Sequence, residues 1–211
     1  MKVLLVSEGA HELGDQDTEG ALRGLVSRLL EGRELEFCQE KVSDNKKVRR
    51  HMEQGKGLPY AQRALGWVGF AREKGFEAVV LVIDRDRQEE RQAGIDEAQM
   101  DARIPLPKAL GTAVESFDAW MLADERALSK VLRCTVDRQP DPEATRHPKE
   151  DCERLFRDKG STLPVRLLYS EVARAADLGT IANRCPLGFE PFADRVKDMG
   201  QRFSAPTTPR L

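Results

Sequence analysis

Runs of consecutive apolar residues and stretches with helical periodicity alternate in the first half of the chain. Val3 to Val6 and Ala78 to Ile83 are continuously apolar, which is typical of parallel strands covered on both faces. Between them, apolar residues recur every three or four positions over 21–30 and 58–71 and predict two helices. A more polar strand over 35–42 is expected nearer an edge of the sheet. These successive strand–helix–strand units predict right-handed crossovers and a mostly parallel sheet.

The segments between these elements are polar and are predicted as loops. Ser7 to Gln16 is expected to be a loop, with Asp17 as the N-cap of the first helix. Residues 41–57 carry an excess of basic side chains, the densest group being Lys46, Lys47, Arg49 and Arg50. Two interpretations of this segment stay open: a solvated surface loop, or a flank that contacts phosphate groups beside a functional site.

The second half of the chain has a mainly helical pattern. A charged surface helix is predicted over 87–103, and an extended connection or edge strand over 104–111. This connection leads to the segment 113–124, and beyond it further helices are predicted over 148–159, 165–176 and 189–199. The pattern predicts an α/β domain over 1–125, a helical extension packed on it over 126–199, and a flexible tail over 200–211.

Composition and charge narrow the possible functions. The chain has 211 residues, of which 40% are hydrophobic and 33% charged, as expected of a globular protein. Its 34 Lys and Arg nearly balance its 36 Asp and Glu, leaving a formal charge of −2. Because the whole surface exerts no net attraction on a polyanion, any binding of nucleic acid must depend on a local basic patch.

The cysteines and the N-terminal segment bear on the cell compartment. Four cysteines are present without a C-x-x-C pair, which favours reduced thiols over a zinc site or a disulfide framework. The apolar run after Met1 is interrupted at Glu8 and is too short for a signal peptide or a membrane span. We therefore expect a cytoplasmic protein with no membrane partner.

Three carboxylates follow the two most apolar strands. Glu8 comes directly after the first strand, and Asp84 and Asp86 follow the second. Ligands of parallel α/β sheets gather at the carboxyl ends of the strands, so these side chains are expected to converge within roughly 4–8 Å and to hold one or two divalent ions. Oxygen ligands select Mg²⁺ or Mn²⁺. Glu12 is a candidate further ligand, whereas His11 is expected to be a loop residue rather than a catalytic base.

These carboxylates also carry a family resemblance. Val-Ser-Glu-Gly-Ala-His-Glu (6–12) followed by Val-Ile-Asp-Arg-Asp (82–86) resembles the Glu…Asp-x-Asp pattern of TOPRIM domains, which occur in topoisomerases, primases and OLD-family nucleases. A later segment resembles more specifically the small TOPRIM-like proteins of the DUF4276 family, which are of the OLD/RloB-like type. This segment is Ala-Val-Glu-Ser-Phe-Asp-Ala-Trp-Met-Leu-Ala-Asp (113–124). His-Pro-Lys-Glu (147–150) and Arg-Cys-Pro-Leu-Gly-Phe (184–189) are similar to segments in the C-terminal half of that family.

The resemblance implies a fold, an activity and partners. It implies a TOPRIM-like, Rossmannoid α/β domain with a mostly parallel sheet flanked by helices, followed by a helical extension. The implied activity is Mg²⁺-dependent phosphodiester hydrolysis of DNA or RNA, with Glu8, Asp84 and Asp86 on the metal and Asp118 or Glu12 completing its ligands. Glu115 and Asp118 are expected on one face of a single helix. The likeness to OLD-type systems also implies a partner ATPase, a homo-oligomer and a role in phage defence.

Two other functions stay open. One is a different Mg²⁺-dependent phosphoryl-transfer enzyme, such as a phosphatase. Asp-x-Asp also begins the haloacid-dehalogenase signature, but there it follows the first strand and continues to Thr, whereas Arg87 and Gln88 follow here. The other is a partner subunit without catalytic activity, whose acidic pocket is vestigial or binds a nucleotide.

Overall fold

A parallel sheet between two layers of helices forms the centre of the molecule. The computed structural model describes residues 1–15, 17–52 and 58–204. The strands are β1 (Lys2–Ser7), β2 (Glu36–Lys41), β3 (Ala78–Asp84) and β4 (Lys108–Ala113). They lie in the order β2-β1-β3-β4, and each pairing is parallel. The predicted α/β class, a Rossmann-like parallel sheet with flanking helices, is confirmed.

The helices connect and cover these strands. Those in the first half are α1 (Ala10–Leu13), α2 (Ala21–Leu29), α3 (Asn45–Met52), α4 (Pro59–Glu73) and α5 (Glu89–Met100). Those after β4 are α6 (Asp118–Leu122), α7 (Glu125–Leu132), α8 (Pro148–Asp158), α9 (Val165–Ala175), α10 (Leu178–Arg184) and α11 (Phe189–Ser204). Within the described ranges, no helix combines the length and the apolar character that crossing a membrane requires.

Several helix ends follow directly from local sequence. Pro59 and Pro148 stand in the first turns of α4 and α8, where a missing N–H leaves no hydrogen bond unmade. Asp124 caps α7, since its carboxylate accepts from the backbone N–H groups of Arg126 at 2.9 Å and Ala127 at 3.1 Å. The last residue of the family-like segment 113–124 is therefore a helix cap and not a metal ligand.

The structure differs from the sequence prediction in three segments. The loop over 7–16 contains the short helix α1, and the basic segment contains α3. Helix α2 begins at Ala21 with Gly20 as its N-cap, so the prediction of Asp17 as the N-cap is wrong. Tertiary packing accounts for α3, because its one buried side chain, Val48, joins the core formed with α4.

The apolar strands divide their side chains between two cores. Val80 and Val82 point into one core, shared with α2, α9 and α11, whereas Val79 and Leu81 point into the other, covered by α4 and α5. Residues on both faces of β3 are thus buried, which explains its unbroken apolar sequence. β4 lies at an edge of the sheet as predicted, yet each of its residues is buried because α5 and α11 cover it.

The C-terminal helices share a core with the sheet. Phe189, Phe192 and Val196 of α11 pack in the same cluster as Val3 and Val80. Helix α11 continues to Ser204, five residues into the segment predicted as a tail, and residues 205–211 lie outside the described residues. Trp120 is fully buried and stacks on Phe192 at 5.3 Å between ring centroids, which is a packing role.

Candidate functional site

The site lies where the strand order changes direction. From β1 the chain passes to β2 on one side of the sheet, and then to β3 and β4 on the other. In such sheets, the loops at the carboxyl ends of the two central strands diverge and leave a crevice between them. Glu8 directly follows β1 and Asp84 ends β3, and the two strands are adjacent and parallel, as predicted.

Asp84 connects three of the loops at this crevice. Its carboxylate Oδ1 accepts a hydrogen bond from the backbone N–H of Phe117 at 2.8 Å, and its own N–H donates to Glu8 Oε2 at 3.4 Å. Burial raises the pKa of Asp84 to about 8, and the charges of Glu12, Glu8 and Asp118 add to this increase. Asp84 thus sits among carboxylates whose repulsion the Phe117 hydrogen bond only partly offsets.

Glu12 is a second buried carboxylate of the group. It lies on α1 with 8% of its surface exposed and accepts a hydrogen bond from the Ser7 hydroxyl. Burial raises its pKa to about 7, with contributions from the charges of Asp118 and Glu8. A Cβ at Gly9 would overlap Glu12 Oε1, so a larger residue there would displace the Glu12 carboxylate.

Asp118 joins the group from the first residue of α6. It accepts hydrogen bonds from Ser116 Oγ at 2.7 Å and from the hydroxyl of Tyr169 on α9. The expectation that Glu115 and Asp118 share a helix face is wrong. Glu115 precedes the helix in a left-handed conformation with φ of 59°, and it forms ion pairs with Arg85 at 3.1 Å and Arg87 at 3.2 Å.

Arg91 supplies a cation that sequence reasoning missed. Its Nη1 lies 2.9 Å from Asp86 Oδ2 and 3.7 Å from Glu8 Oε1. Because both carboxylates contact one nitrogen, their separation cannot exceed the sum of these distances, which agrees with the predicted spacing. Arg85, which lies between Asp84 and Asp86 in the sequence, forms ion pairs with Glu115 and Glu89 instead. The sequence did allow a contact between Arg91 and Asp86, because Arg91 follows Asp86 by five residues at the start of the helix predicted over 87–103.

Acidic and basic side chains of this site line one cleft. The cleft has a volume of about 420 Å³ and is lined by Asp84, Asp86 and Asp118 together with the cations Arg87, Arg146 and Lys149. Arg146 and Lys149 are exposed and belong to the segment just before and at the start of α8. The family-like segment 147–150 thus lies at the cleft, although its sequence alone assigned it no role.

The loop between β3 and α5 is strained where it borders this cleft. Asp86 and Arg87 are consecutive residues in the left-handed region, with φ of 48° and 59°. Neither is glycine, so each conformation carries an energetic cost, and such residues concentrate at functional sites. Both residues line the same cleft.

The basic segment lies elsewhere, on α3. Lys47 forms ion pairs with Glu40 at 2.6 Å and Asp44 at 3.2 Å, and Arg50 pairs with Glu73. Lys46 and Arg49 are exposed and have no ion pair with the residues that the structure describes. None of the four is among the described residues that line the acidic cleft, and Lys56 of the same run lies outside them.

The donor chemistry fits a hard divalent cation, but the ligands are not preformed. The clustered side chains offer oxygen atoms only, and Asp84, Glu12 and Asp118 have no ion pair with any described cation. Such uncompensated buried charge favours a bound cation. Nevertheless, over 1–15, 17–52 and 58–204, no three His, Cys, Asp or Glu side chains already stand in positions that would hold a metal ion.

His11 lies beside the clustered carboxylates of the site. Its ring lies 5.3 Å from that of Tyr169, and its buried Nδ1 has no hydrogen-bond partner among the described residues. Burial lowers the pKa of His11, while the charge of Asp118 acts in the opposite direction. His11 lies on α1 and not in a loop as expected.

Comparison of the chain with protein-family models, with curated proteins and with solved structures gives no match. The resemblance to TOPRIM domains therefore stays a prediction from the motifs.

Proposed function

We propose that this protein hydrolyses phosphodiester bonds with the help of Mg²⁺ or Mn²⁺. The observation that carries the proposal is the cleft at the strand-order change, which is lined both by acidic side chains and by the basic side chains of Arg87, Arg146 and Lys149. A phosphodiester needs both, because a metal ion must be held by carboxylates while cations contact the phosphate oxygens. The motifs around Glu8, Asp84 and Asp86 support the same reaction.

The chain's own residues have separate tasks in this proposal. Asp84 and Asp118 would hold the ion, whereas Glu8 and Asp86 already contact Arg91. When bound, the ion polarises the phosphate and lowers the pKa of an attacking water. The basic side chains of the cleft would contact the nonbridging oxygens and position the phosphate next to the ion; they are Arg87, Arg146 and Lys149. Tyr169 and the Phe117 N–H fix the orientations of Asp118 and Asp84.

The net charge of the chain limits the kind of substrate it attracts. With a formal charge of −2, the proposed attraction to nucleic acid comes from the basic side chains of the cleft and from Lys46 and Arg49 on α3, which have no ion pair with the described residues. A partner ATPase, a homo-oligomer and a role in phage defence belong to the proposal through the motif resemblance alone.

One experiment distinguishes the proposed function from its two rivals. Purified protein is incubated with Mg²⁺ or Mn²⁺ and a panel of single- and double-stranded DNA and RNA, together with a small phosphate diester and the matching monoester. We expect cleavage of nucleic acid and of the diester, and loss of both in Asp84→Asn. Turnover of the monoester alone would identify a phosphatase. Metal binding without any turnover would identify a noncatalytic subunit.

A further inference from the structure

Arg91 occupies a position in which a cation is surrounded by oxygen atoms from both central strands. Its Nη1 lies 2.7 Å from the backbone oxygen of Asp84, 2.9 Å from Asp86 Oδ2 and 3.7 Å from Glu8 Oε1. The side chain is 15% exposed, so these interactions are only partly screened by water. Carboxylates that the sequence assigns to a metal ion are therefore already in contact with a positive charge.

The far side of the guanidinium is fixed as well. Arg91 Nε donates to the Tyr60 hydroxyl at 3.3 Å and to Gln88 Oε1 at 3.4 Å, and its guanidinium carbon lies 5.4 Å from the centre of the Tyr60 ring. Separating Arg91 from these carboxylates would leave its largely buried guanidinium without an ion pair, which is costly. Arg91 is therefore held in place by contacts on both sides.

The charges of the site are consequently divided into two groups. Glu8 and Asp86 face Arg91, and the Arg91 charge opposes the effect of burial on the pKa of Glu8. Asp84, Glu12 and Asp118 make hydrogen bonds to neutral groups, namely the Phe117 N–H and the hydroxyls of Ser7, Ser116 and Tyr169. The negative charge that lacks a compensating cation thus lies on the side of α1 and α6.

We propose that Arg91 is a built-in cation that neutralises Glu8 and Asp86 and limits the site to one divalent ion, held by Asp84 and Asp118. Arg91 is a positioning residue in this role, since it acts through the two carboxylates that it contacts. The inference rests on the proposed function for the presence of a metal ion, but it concerns how many ions the chain accepts and on which side.

Calorimetric titration with Mn²⁺ alone tests this directly. We expect one Mn²⁺ per wild-type chain. Arg91→Gln should bind a second ion, or bind the first about tenfold more tightly, because a unit charge several ångströms from a divalent ion has an effect of that order even at the dielectric constant of water. Arg91→Lys keeps the charge and should still bind one ion. Arg195→Gln is the matched control, because it removes a partly buried arginine that also contacts a backbone oxygen and a carboxylate, those of Leu110 and Asp96, but does not line the cleft.

The possible outcomes separate this inference from the proposed function. If wild type and Arg91→Gln bind one ion with equal affinity, Arg91 is not a built-in cation, while the proposed metal site stands. If neither binds Mn²⁺, both proposals fail. Binding to Arg91→Gln alone would support the role of Arg91 and contradict a metal site in the wild type. A second ion in Arg91→Lys as well would show that shape, not charge, excludes it, and would overturn the inference.

A second pair of variants does not depend on the folding of Arg91→Gln. In the wild-type background, Asp86→Asn should change Mn²⁺ affinity by no more than about twofold, since its carboxylate is already paired and half-exposed. Asp118→Asn should weaken binding by about tenfold or more, because it removes a proposed ligand charge. The opposite ranking would place the ion on the Arg91 side and overturn the inference.

Discussion

Tyr169 donates its hydroxyl hydrogen to the carboxylate of Asp118, and this contact joins the C-terminal helices to the acidic cleft. Tyr169 lies on α9 and is 2% exposed, and burial together with neighbouring Cys152 and Asp118 raises the pKa of its hydroxyl. The hydroxyl is therefore a proton donor at physiological pH. The helices after residue 125 thus contribute a hydrogen bond to the candidate site in addition to covering the sheet.

Replacing Tyr169 by Phe tests this contact. The change removes a buried hydrogen bond to a charged group, so the free energy of unfolding should fall by about 1.5–3 kcal/mol. Chemical denaturation measures it, and a double-mutant cycle with Asp118→Asn isolates the interaction between the two side chains. With Mn²⁺ bound to Asp118, the loss should be smaller, since the ion stabilises the carboxylate. Purely additive effects in the cycle would contradict a direct interaction.

Two substitutions of Asp84 separate charge from hydrogen bonding. Asp84→Asn keeps an oxygen acceptor for the Phe117 N–H and relieves repulsion by Glu12 and Glu8, so the metal-free protein should be as stable as the wild type or more stable. Asp84→Ala also loses the acceptor and should be less stable than Asp84→Asn by about 1–3 kcal/mol. Both should lose Mn²⁺ binding.

Thermal and chemical denaturation without metal measure this difference. A large, equal loss of stability in both variants would show that the Asp84 charge is structural rather than functional.

The stability of the metal-free protein should fall as the pH rises from about 4 to about 8. Carboxylates in an unfolded chain titrate near pH 4, whereas burial raises the pKa of Glu12 to about 7 and of Asp84 to about 8. Over that interval the folded protein binds protons that the unfolded chain has released, so each increase in pH favours unfolding. The expected loss is a few kcal/mol in total.

Denaturation curves at several pH values, with and without Mg²⁺, measure this dependence. Saturating Mg²⁺ should flatten the decrease, because the ion stabilises the ionised carboxylates. Asp84→Asn should flatten it without metal. Stability that increases over the same interval would contradict the assignment of these carboxylates as uncompensated.

Reversing the charges of Arg146 and Lys149 should weaken binding of nucleic acid. Both side chains line the cleft, and the loss of two phosphate contacts should reduce the slope of log affinity against log salt concentration by about 1.4–1.8. Fluorescence anisotropy with labelled DNA and RNA at several salt concentrations measures both quantities. Affinity and slope equal to those of the wild type would show that Arg146 and Lys149 do not contact phosphate groups.

The exposed face of α3 is tested in the same way. Among the four most closely spaced cations of the segment, Lys46 and Arg49 lack an ion pair with described residues, whereas Lys47 and Arg50 pair with Glu40 and Glu73, so the variant is Lys46→Glu with Arg49→Glu. If a strand of nucleic acid runs from the cleft across α3, binding weakens and its salt dependence flattens, with Mn²⁺ affinity unchanged. Unaltered binding would identify α3 as a solvated surface.

Local patterns in the sequence were sufficient to predict the strands that form the sheet and the starts of some helices. The unbroken apolar run before Asp84 predicts a strand buried on both faces, and proline at Pro148 predicts the start of a helix, because both depend on neighbouring residues only. The adjacency of β1 and β3 also followed, since right-handed crossovers leave few arrangements for successive parallel strands. Glu8 and Asp84 could therefore be placed together from sequence alone.

Tertiary structure alone decided which charges compensate one another. The spacing of five residues allows Arg91 to contact Asp86, but nothing in the sequence shows that Arg91 also contacts Glu8, which is 83 positions away. Helix α3 likewise forms in a strongly basic segment because Val48 is buried against α4. Tyr169 reaches Asp118 only because α9 packs against α1 and α6. Electrostatic energy depends on distance and burial, which the order of residues along the chain does not contain.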